Sequence, residues 1–223
     1  MKIVVLNTPY LSMYSRASRS PAVTKSSTLY YPIYLAYATG VLEQDRHEVK
    51  LIDCPAMDWD KEEAYKFIPE FKPDMVVVNT TTASIFSDTE VAESVKKIDN
   101  SFVVMVGTHA TVKAKEILGH AKRIDAVARA EYDFIIRDLA GALEEDGDLS
   151  QVRGLTYRKG NKIIENPDMP KIDDLDSLPF VSKVYERHLS PYINRYFYEA
   201  NQQTTHAETR GQDLCLLRRS QGS

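Results

Sequence analysis

The stretch KPDMVVVNTTTASIF, residues 72–86, decides the fold class of this chain. A proline-containing turn leads into residues 75–78, a short apolar run rich in valine, which stops at a hydroxyl-rich loop. Such a run, bounded by turn residues, is typical of a strand buried on both faces of a sheet. Parallel sheets contain strands of this kind, because their crossover connections cover both faces with helices.

The same alternation extends to both sides of this stretch. Further strand-like runs lie at residues 2–6, 47–53, 102–106 and 125–128, and helix-like runs at residues 33–42, 60–71, 88–98, 113–120 and 132–143. Five strands that alternate with five helices predict an α/β domain over residues 1–147. We expect a doubly wound, five-stranded parallel sheet of the flavodoxin-like or Rossmann-like kind.

Beyond residue 147 the pattern changes. Residues 152–158 and 162–166, joined by a glycine-containing turn, predict a β-hairpin. The following residues up to 180 are acidic and punctuated by proline, so residues 148–180 are interpreted as a hairpin and linker.

Aromatic residues become frequent in the last segment, residues 181–223. They are Tyr185, Tyr192, Tyr196, Phe197 and Tyr198. We expect these rings to be exposed, and the segment to be poorly ordered or to support self-association, as the start of a further domain.

Composition argues against several classes of function. The formal charge of −4 and the lack of a Lys/Arg cluster argue against a nucleic-acid partner. No apolar run suits a signal peptide or a membrane span, so a cytoplasmic protein without a membrane partner is expected. Cys54 and Cys215 lie far apart without metal-ligand spacing, which indicates neither a disulfide nor a zinc site.

Small and hydroxyl-bearing residues follow the predicted strands. In an open parallel sheet, ligands bind outside the carboxyl ends of the strands, here at the loops that begin at Asn7, Asn79, Gly107 and Arg129. Residues 10–28 add a loop longer than an α/β connection normally needs. Turn formation alone explains one such loop, but four on one edge indicate a site for a large, flat ligand with a hydrogen-bonding periphery.

The residues after the first and third strands exclude common ligands of this fold. Asn7, Thr8 and Pro9 offer no glycine-rich phosphate turn, which excludes a dinucleotide site and a P-loop. Asn7 and Asn79 stand where a phosphate-accepting receiver domain would carry acidic residues. Since no Ser/His/Asp constellation is visible, a stand-alone enzyme of another chemistry is the least favoured interpretation.

Four segments in the expected order resemble the amino-terminal half of cobalamin-dependent radical S-adenosylmethionine enzymes. They are residues 42–53, 106–111, 129–132 and 174–179. The run LDSLP, residues 175–179, is similar to the linker before the catalytic barrel of that family, and the resemblance covers roughly residues 1–200. It implies a cobalamin-binding module. The contacts that it implies are Thr8, Tyr10, Thr80, Thr81, Ser84, Gly107, Thr108, His109, Arg129 and Glu131.

Three positions depart from the family pattern. Arg46, Thr108 and Ala130 stand where the family usually has glycine. Glycine tolerates a positive φ and close approach, so each replacement predicts weaker cobalamin binding. The alternative is an interaction or regulatory domain that no longer binds corrinoid.

The resemblance does not extend to a complete enzyme. An Asp-x-His-x-x-Gly signature is absent, so no histidine ligand to cobalt is expected from the loop after the first strand. The Cys-x-x-x-Cys-x-x-Cys motif is also absent, and without it no [4Fe-4S] cluster can cleave S-adenosylmethionine. We therefore expect a chain that binds rather than catalyses, truncated or altered in reading frame near residue 201, before the cluster motif of a methyltransferase- or cyclase-type parent.

Overall fold

A computed structural model describes residues 1–17, 22–23 and 29–196. Its strands are β1 (Lys2–Asn7), β2 (Tyr14–Ser15), β3 (Ala22–Val23), β4 (Glu48–Asp53), β5 (Met75–Asn79), β6 (Phe102–Val106), β7 (Ala126–Ala128), β8 (Leu155–Lys159) and β9 (Lys162–Glu165). Its α-helices are α1 (Ile33–Gln44), α2 (Cys54–Met57), α3 (Lys61–Phe71), α4 (Ile85–Ile98), α5 (Thr108–His120), α6 (Asp133–Glu144) and α7 (Val181–His188).

The main sheet runs in the order β4-β1-β5-β6-β7-β8-β9. The first five strands of this order are parallel, and their arrangement is that of a flavodoxin-like sheet. The predicted α/β class and five-stranded parallel sheet are therefore confirmed. The predicted β-hairpin is present as β8 and β9, and because β8 pairs antiparallel with β7 it extends the sheet to seven strands. This pairing satisfies the outer backbone groups of β7.

Two apolar layers enclose the parallel strands. Alternate residues of β1 point to opposite layers, Ile3 and Val5 to one and Val4 and Leu6 to the other. Helices α1, α6 and α7 cover the first layer, and helices α3, α4 and α5 cover the second. Continuous burial of this kind explains why the strands are apolar runs rather than alternating ones.

Residues 181–196 pack against the α/β domain. The ring of Tyr31 lies between two tyrosines of this segment, with centroids 4.5 Å from Tyr185 and 4.4 Å from Tyr196. Tyr196 is only 2% exposed, so the expectation that it is exposed is wrong. The reason is a buried acceptor, because its hydroxyl donates a hydrogen bond to the Asp53 carboxylate at 2.7 Å. Phe197 and Tyr198 lie outside the described residues.

Helix α7 also covers the outer edge of β4. The backbone N–H of Leu51 donates to Nδ1 of His188 at 3.3 Å, and Nε2 of His188 lies 2.9 Å from a Glu43 carboxylate oxygen. Gly40 permits this packing, since a Cβ there would lie 2.5 Å from Cγ of Pro179. The linker and α7 are thereby fixed on α1.

The helices of the described ranges include none that is long and apolar enough to cross a bilayer.

Two of the three positions at which the family usually has glycine adopt a left-handed backbone. Arg46 has φ 65° and Ala130 has φ 58°. Thr108 instead lies in the first turn of α5, after Gly107, which has φ 113°. Two of the departures from the family pattern therefore mark positions where a residue other than glycine has a positive φ.

Replacing Ala130 by glycine is expected to raise the free energy of unfolding by about 1 kcal/mol, because an alanine Cβ is strained at positive φ. Urea denaturation followed by circular dichroism measures the change. The matched control is Ala142→Gly inside α6, which should lower stability by up to about 1 kcal/mol. Equal losses from both substitutions would contradict the predicted strain.

Candidate functional site

The site lies where the connections of neighbouring strands separate. After β1 the chain passes to α1 on one face of the sheet, and after β5 it passes to α4 on the other face. A crevice for a ligand opens at such a point, outside the carboxyl ends of the strands. We call the gap between the loops after β1 and β5 the crevice, and this side of the sheet the carboxyl edge.

A buried ion pair fills the crevice. Nη2 of Arg16 lies 2.6 Å from Oδ1 of Asp88, and the two side chains are 1% and 0% exposed. The guanidinium also donates to the Thr8 carbonyl at 2.7 Å and to the Thr8 hydroxyl at 2.8 Å. The Ser84 hydroxyl donates to the other Asp88 oxygen at 2.6 Å. The loop after β1 is therefore fastened to the start of α4.

Further hydroxyl groups complete this network. The Thr81 hydroxyl lies 2.9 Å from Oγ of Ser84 and 3.3 Å from the Tyr14 hydroxyl, while Thr80 is fully buried beside them. Four of the predicted contacts are thus placed together at the carboxyl edge: Thr8, Thr80, Thr81 and Ser84. Their side chains bond to protein groups, however, and do not face solvent.

A second network joins the ends of β4, β1 and β5. One Asp53 oxygen accepts from Nδ2 of Asn7 at 2.7 Å, and the other accepts from Tyr196. Oδ1 of Asn7 accepts long hydrogen bonds, each 3.4 Å, from Asn79 and Arg16. Burial raises the pKa of Asp53, while the hydrogen bonds from Tyr196 and Asn7 oppose that rise. The polar groups at these strand ends therefore satisfy one another.

Gly107 brings the loops after β5 and β6 into contact. A Cβ on this residue would lie 2.2 Å from the Thr80 carbonyl oxygen. Immediately after it, Thr108 is exposed and His109 is half-buried, with Nδ1 of His109 3.3 Å from the Thr82 hydroxyl. Gly107, Thr108 and His109 therefore border the crevice on the β6 side and remain accessible.

Arg129 serves the hairpin and linker. Its guanidinium donates to the Asn166 carbonyl at 2.6 Å and to Asp168 at 2.7 Å, and it also bonds to Thr156. Glu131 is exposed and accepts from the backbone of Ile172 at 3.3 Å. Of these two predicted contacts, Glu131 is the one open to solvent.

Large apolar side chains are exposed around the same edge. Tyr10 is 39% exposed, Leu11 52%, Phe86 91% and Val112 78%. Tyr10 and Leu11 follow β1, while Phe86 and Val112 lie within the first two turns of α4 and α5. We call these four residues, together with Thr108 and His109, the rim. Apolar surface beside hydrogen-bonding groups suits a flat ligand with a polar periphery.

Asp133, the first residue of α6, carries a largely buried carboxyl group. Its Oδ1 is buried and has no hydrogen-bond partner among the described residues. Burial raises its pKa from 3.8 to about 6, and the nearby Glu131 carboxylate adds to the rise. The ionised form is therefore disfavoured in the folded protein.

Replacing Asp133 by asparagine should stabilise the protein only when the pH is high enough to ionise the aspartate. Below about pH 4 the carboxyl group is protonated in both the folded and the unfolded protein, so it costs no stability. As the pH rises to about 6 the unfolded state ionises first, and the free energy of unfolding falls until the folded-state carboxyl group also ionises. Above pH 7 the expected gain is up to about 3 kcal/mol, since each pKa unit corresponds to about 1.4 kcal/mol.

Chemical denaturation at pH 4 and pH 7.5 measures this difference. Asp138→Asn on α6 is the control; this partly exposed carboxylate pairs with the adjacent Arg137, and its replacement should change stability by less than about 1 kcal/mol at either pH. A gain from Asp133→Asn that is the same at both pH values would refute the assignment.

Comparisons with known proteins identify the family of this chain. A protein-family model described as a B12 binding domain matches residues 19–153. An uncharacterized methyltransferase, PH0819 of Pyrococcus horikoshii, is 34% identical over 152 residues, which are 68% of this chain and 33% of that protein. The anaerobic magnesium-protoporphyrin IX monomethyl ester cyclase of Cereibacter sphaeroides is 28% identical over 66% of this chain and 25% of its own length. The chain thus spans a third or less of these relatives.

Solved structures show the same fold. The radical S-adenosylmethionine methyltransferase TsrM from Kitasatospora setae, with cobalamin and a [4Fe-4S] cluster bound, matches with a TM-score of 0.60 and 16% identity, over 80% of this chain and 30% of TsrM. The cobalamin-dependent enzyme OxsB matches with a TM-score of 0.58 and 13% identity, over 76% of this chain and 22% of OxsB. Since the family model covers more than half of the sequence, the chain belongs to the B12-binding domain family.

Proposed function

We propose that this chain is the corrinoid-binding module of a longer enzyme of the radical S-adenosylmethionine class, and that it holds cobalamin at the carboxyl edge of its sheet. The observation that carries the proposal is the rim, which exposes apolar and hydrogen-bonding side chains on the edge where a fold of this kind binds ligands. Corrin is a flat macrocycle with amide groups on its periphery. The accessible side chains of the rim fit such a shape.

The predicted contacts divide into two sets. Tyr10, Gly107, Thr108, His109 and Glu131 are accessible and would touch the ligand directly. The remaining five would support the loops from behind: Thr8, Thr80, Thr81, Ser84 and Arg129. A bound corrinoid would supply a cobalt centre that can carry an alkyl group, and these residues would bind and orient the ring and exclude water from it.

The parent enzyme is proposed by analogy. A methyltransferase- or cyclase-type reaction agrees with the names of the relatives. A [4Fe-4S] cluster and S-adenosylmethionine, supplied outside residues 1–200, agree with the similar structure of TsrM. In this proposal the module comprises residues 1–147 and the hairpin and linker residues 148–180, and residues 181–223 begin the next domain, of which residues 181–196 pack back onto the module. We also propose a cytoplasmic location and no nucleic-acid partner, both on the basis of composition, and self-association through the aromatic segment of residues 181–223.

A titration with hydroxocobalamin, followed by desalting and a visible spectrum, tests the proposal. We expect near-stoichiometric corrinoid in the desalted protein. Phe86→Ser should lower affinity at least tenfold, because Phe86 lies at the rim end of α4. Ile98→Ser is the matched control at the opposite end of the same helix, where the side chain is also exposed, and it should leave affinity unchanged.

A colourless protein would favour the second candidate, an interaction or regulatory domain that no longer binds corrinoid. The filled crevice is the observation that favours this alternative. Equal affinities of the Phe86 and Ile98 variants would place the ligand elsewhere on the protein.

A further inference from the structure

The connection between β1 and α1 is held at its far end by one short segment. The backbone N–H of Leu29 donates to the Arg195 carbonyl at 2.9 Å, and Leu29 also forms a parallel bridge with Tyr196. Two residues further on, the ring of Tyr31 stacks on that of Tyr196, with the centroids 4.4 Å apart and the planes inclined by 13°. Residues 195–196 therefore fix the chain just before α1 begins.

The start of the same connection is tied to Tyr196 by hydrogen bonds. The Tyr196 hydroxyl donates to one Asp53 oxygen at 2.7 Å, and Nδ2 of Asn7, the last residue of β1, donates to the other at 2.7 Å. Nη1 of Arg16 in turn donates to Oδ1 of Asn7 at 3.4 Å. All four side chains are buried. Tyr196 is thus bonded, directly or through one partner, to both ends of the connection.

Ring contacts extend this network to the rim. The ring of Tyr10 packs edge-on against that of Tyr14, with the centroids 4.9 Å apart. The Arg16 guanidinium lies 5.4 Å from the centroid of the Tyr14 ring. A continuous series of contacts among described residues therefore runs from Tyr10 at the rim, through Arg16, to Tyr196.

We infer that Tyr196 is a positioning residue that couples corrinoid binding at the rim to the docking of residues 189–196 on the α/β domain. The inference rests on the proposed function and deepens it, because these residues lead towards the next domain of the proposed enzyme. Coupling between two binding events is reciprocal. Bound corrinoid should hold residues 189–196 more firmly on the module, and loosening these residues should weaken corrinoid binding.

The burial of Asp53 is the reason that loosening Tyr196 disturbs the rim. Without the Tyr196 hydroxyl, one oxygen of a buried carboxylate loses its donor, and an unsatisfied buried charge is costly. Relief requires Asn7 to rearrange around Asp53. A shift of Asn7 moves Arg16 and, through the ring contacts, Tyr10. A ligand must then order this part of the rim again, and ordering costs affinity.

Tyr196→Phe tests the coupling, because it removes one hydroxyl and keeps the ring. Hydroxocobalamin is titrated into the purified chain, and equilibrium dialysis with absorbance gives the dissociation constant. We expect the affinity to fall about tenfold, within the usual range of coupling between sites. The matched control is Tyr192→Phe, the same chemical change at a half-buried ring of the same segment outside the network, and it should leave the affinity unchanged.

The backbone N–H of Leu29 is a second reporter, since it donates to the Arg195 carbonyl only while residues 189–196 are docked. An amide that exchanges through local opening reports that opening rather than the stability of the whole fold. Saturating hydroxocobalamin should slow its hydrogen exchange, followed by NMR, by about fivefold or more in the unmodified chain. Without ligand, Tyr196→Phe should speed this exchange about tenfold, whereas Tyr192→Phe should not change it.

Circular dichroism reports whether each variant is folded. If Tyr196→Phe does not fold, the response of the Leu29 amide to hydroxocobalamin in the unmodified chain decides alone.

Each outcome bears on a different claim. A folded Tyr196→Phe variant that binds hydroxocobalamin as tightly as the unmodified chain would overturn the inference and leave the corrinoid proposal standing, because a residue that only stabilises the fold does not change the affinity of folded molecules. A Leu29 amide whose exchange does not respond to the ligand would overturn the inference in the same way. Retention of no corrinoid by the unmodified chain would overturn the corrinoid proposal and the inference with it.

Discussion

Asp88→Ala is expected to lower the free energy of unfolding by about 3–5 kcal/mol, the usual effect of removing one partner of a buried ion pair. The substitution leaves the Arg16 guanidinium buried without its counter-charge. It also removes the acceptor of the Thr8 and Ser84 hydroxyls. Guanidinium chloride denaturation followed by circular dichroism measures the loss.

Glu90→Ala is the control, since Glu90 lies on the same helix but pairs with Lys61 in solvent. Its expected effect is below about 1 kcal/mol. Asp88→Asn should cost less than Asp88→Ala, because an amide oxygen still accepts hydrogen bonds. A loss below 1 kcal/mol for Asp88→Ala would show that the pair contributes little to the fold.

Gly107→Ala is expected to destabilise the protein by about 3 kcal/mol or more, because strain at positive φ and a backbone clash add together. The backbone there has φ 113°, and the added Cβ would lie 2.2 Å from the carbonyl oxygen of Thr80. Backbone atoms cannot move aside as a flexible side chain can. The loops after β5 and β6 must then separate, which should also weaken corrinoid binding.

Gly119→Ala provides the comparison within the same helix. No heavy atom lies within 4 Å of a Cβ at position 119, and the residue lies inside α5. This substitution is expected to stabilise the protein by up to about 1 kcal/mol. Thermal and urea denaturation of both variants measure the contrast, and a tolerated alanine at 107 would contradict the close approach of the two loops.

The sequence predicted the parallel core well for a physical reason. Strands buried on both faces must be continuous apolar runs, and residues 75–78 and 102–106 are runs of this kind. The place of the hairpin was not predictable in the same way. The hairpin pairs with the outer side of β7, a strand of only three residues. The sequence of residues 155–165 does not indicate which strand it will pair with.

The position of the site was predictable from the sequence, but not whether its side chains face a ligand or bond to one another. The carboxyl edge follows from topology, whereas a threonine or serine has the same sequence signature whether it faces a ligand or a buried carboxylate. Arg16 and Asp88 are 72 residues apart, and neither lies in a motif. The long loop after β1 was the single signal, since an arginine within it requires either solvent or a partner. Likewise, the burial of Tyr196 depends on Asp53, 143 residues away.

The packing of α7 beside β4 has a consequence for how the module evolves and how it is engineered. An outermost strand with bare amide groups is a template for unwanted intermolecular pairing, and His188 caps one of those amides. Recombination that ended the unit at residue 180 would transfer an unprotected strand into its new host. A transferable unit that keeps β4 covered therefore has to extend to Tyr196, whose ring stacks on Tyr31.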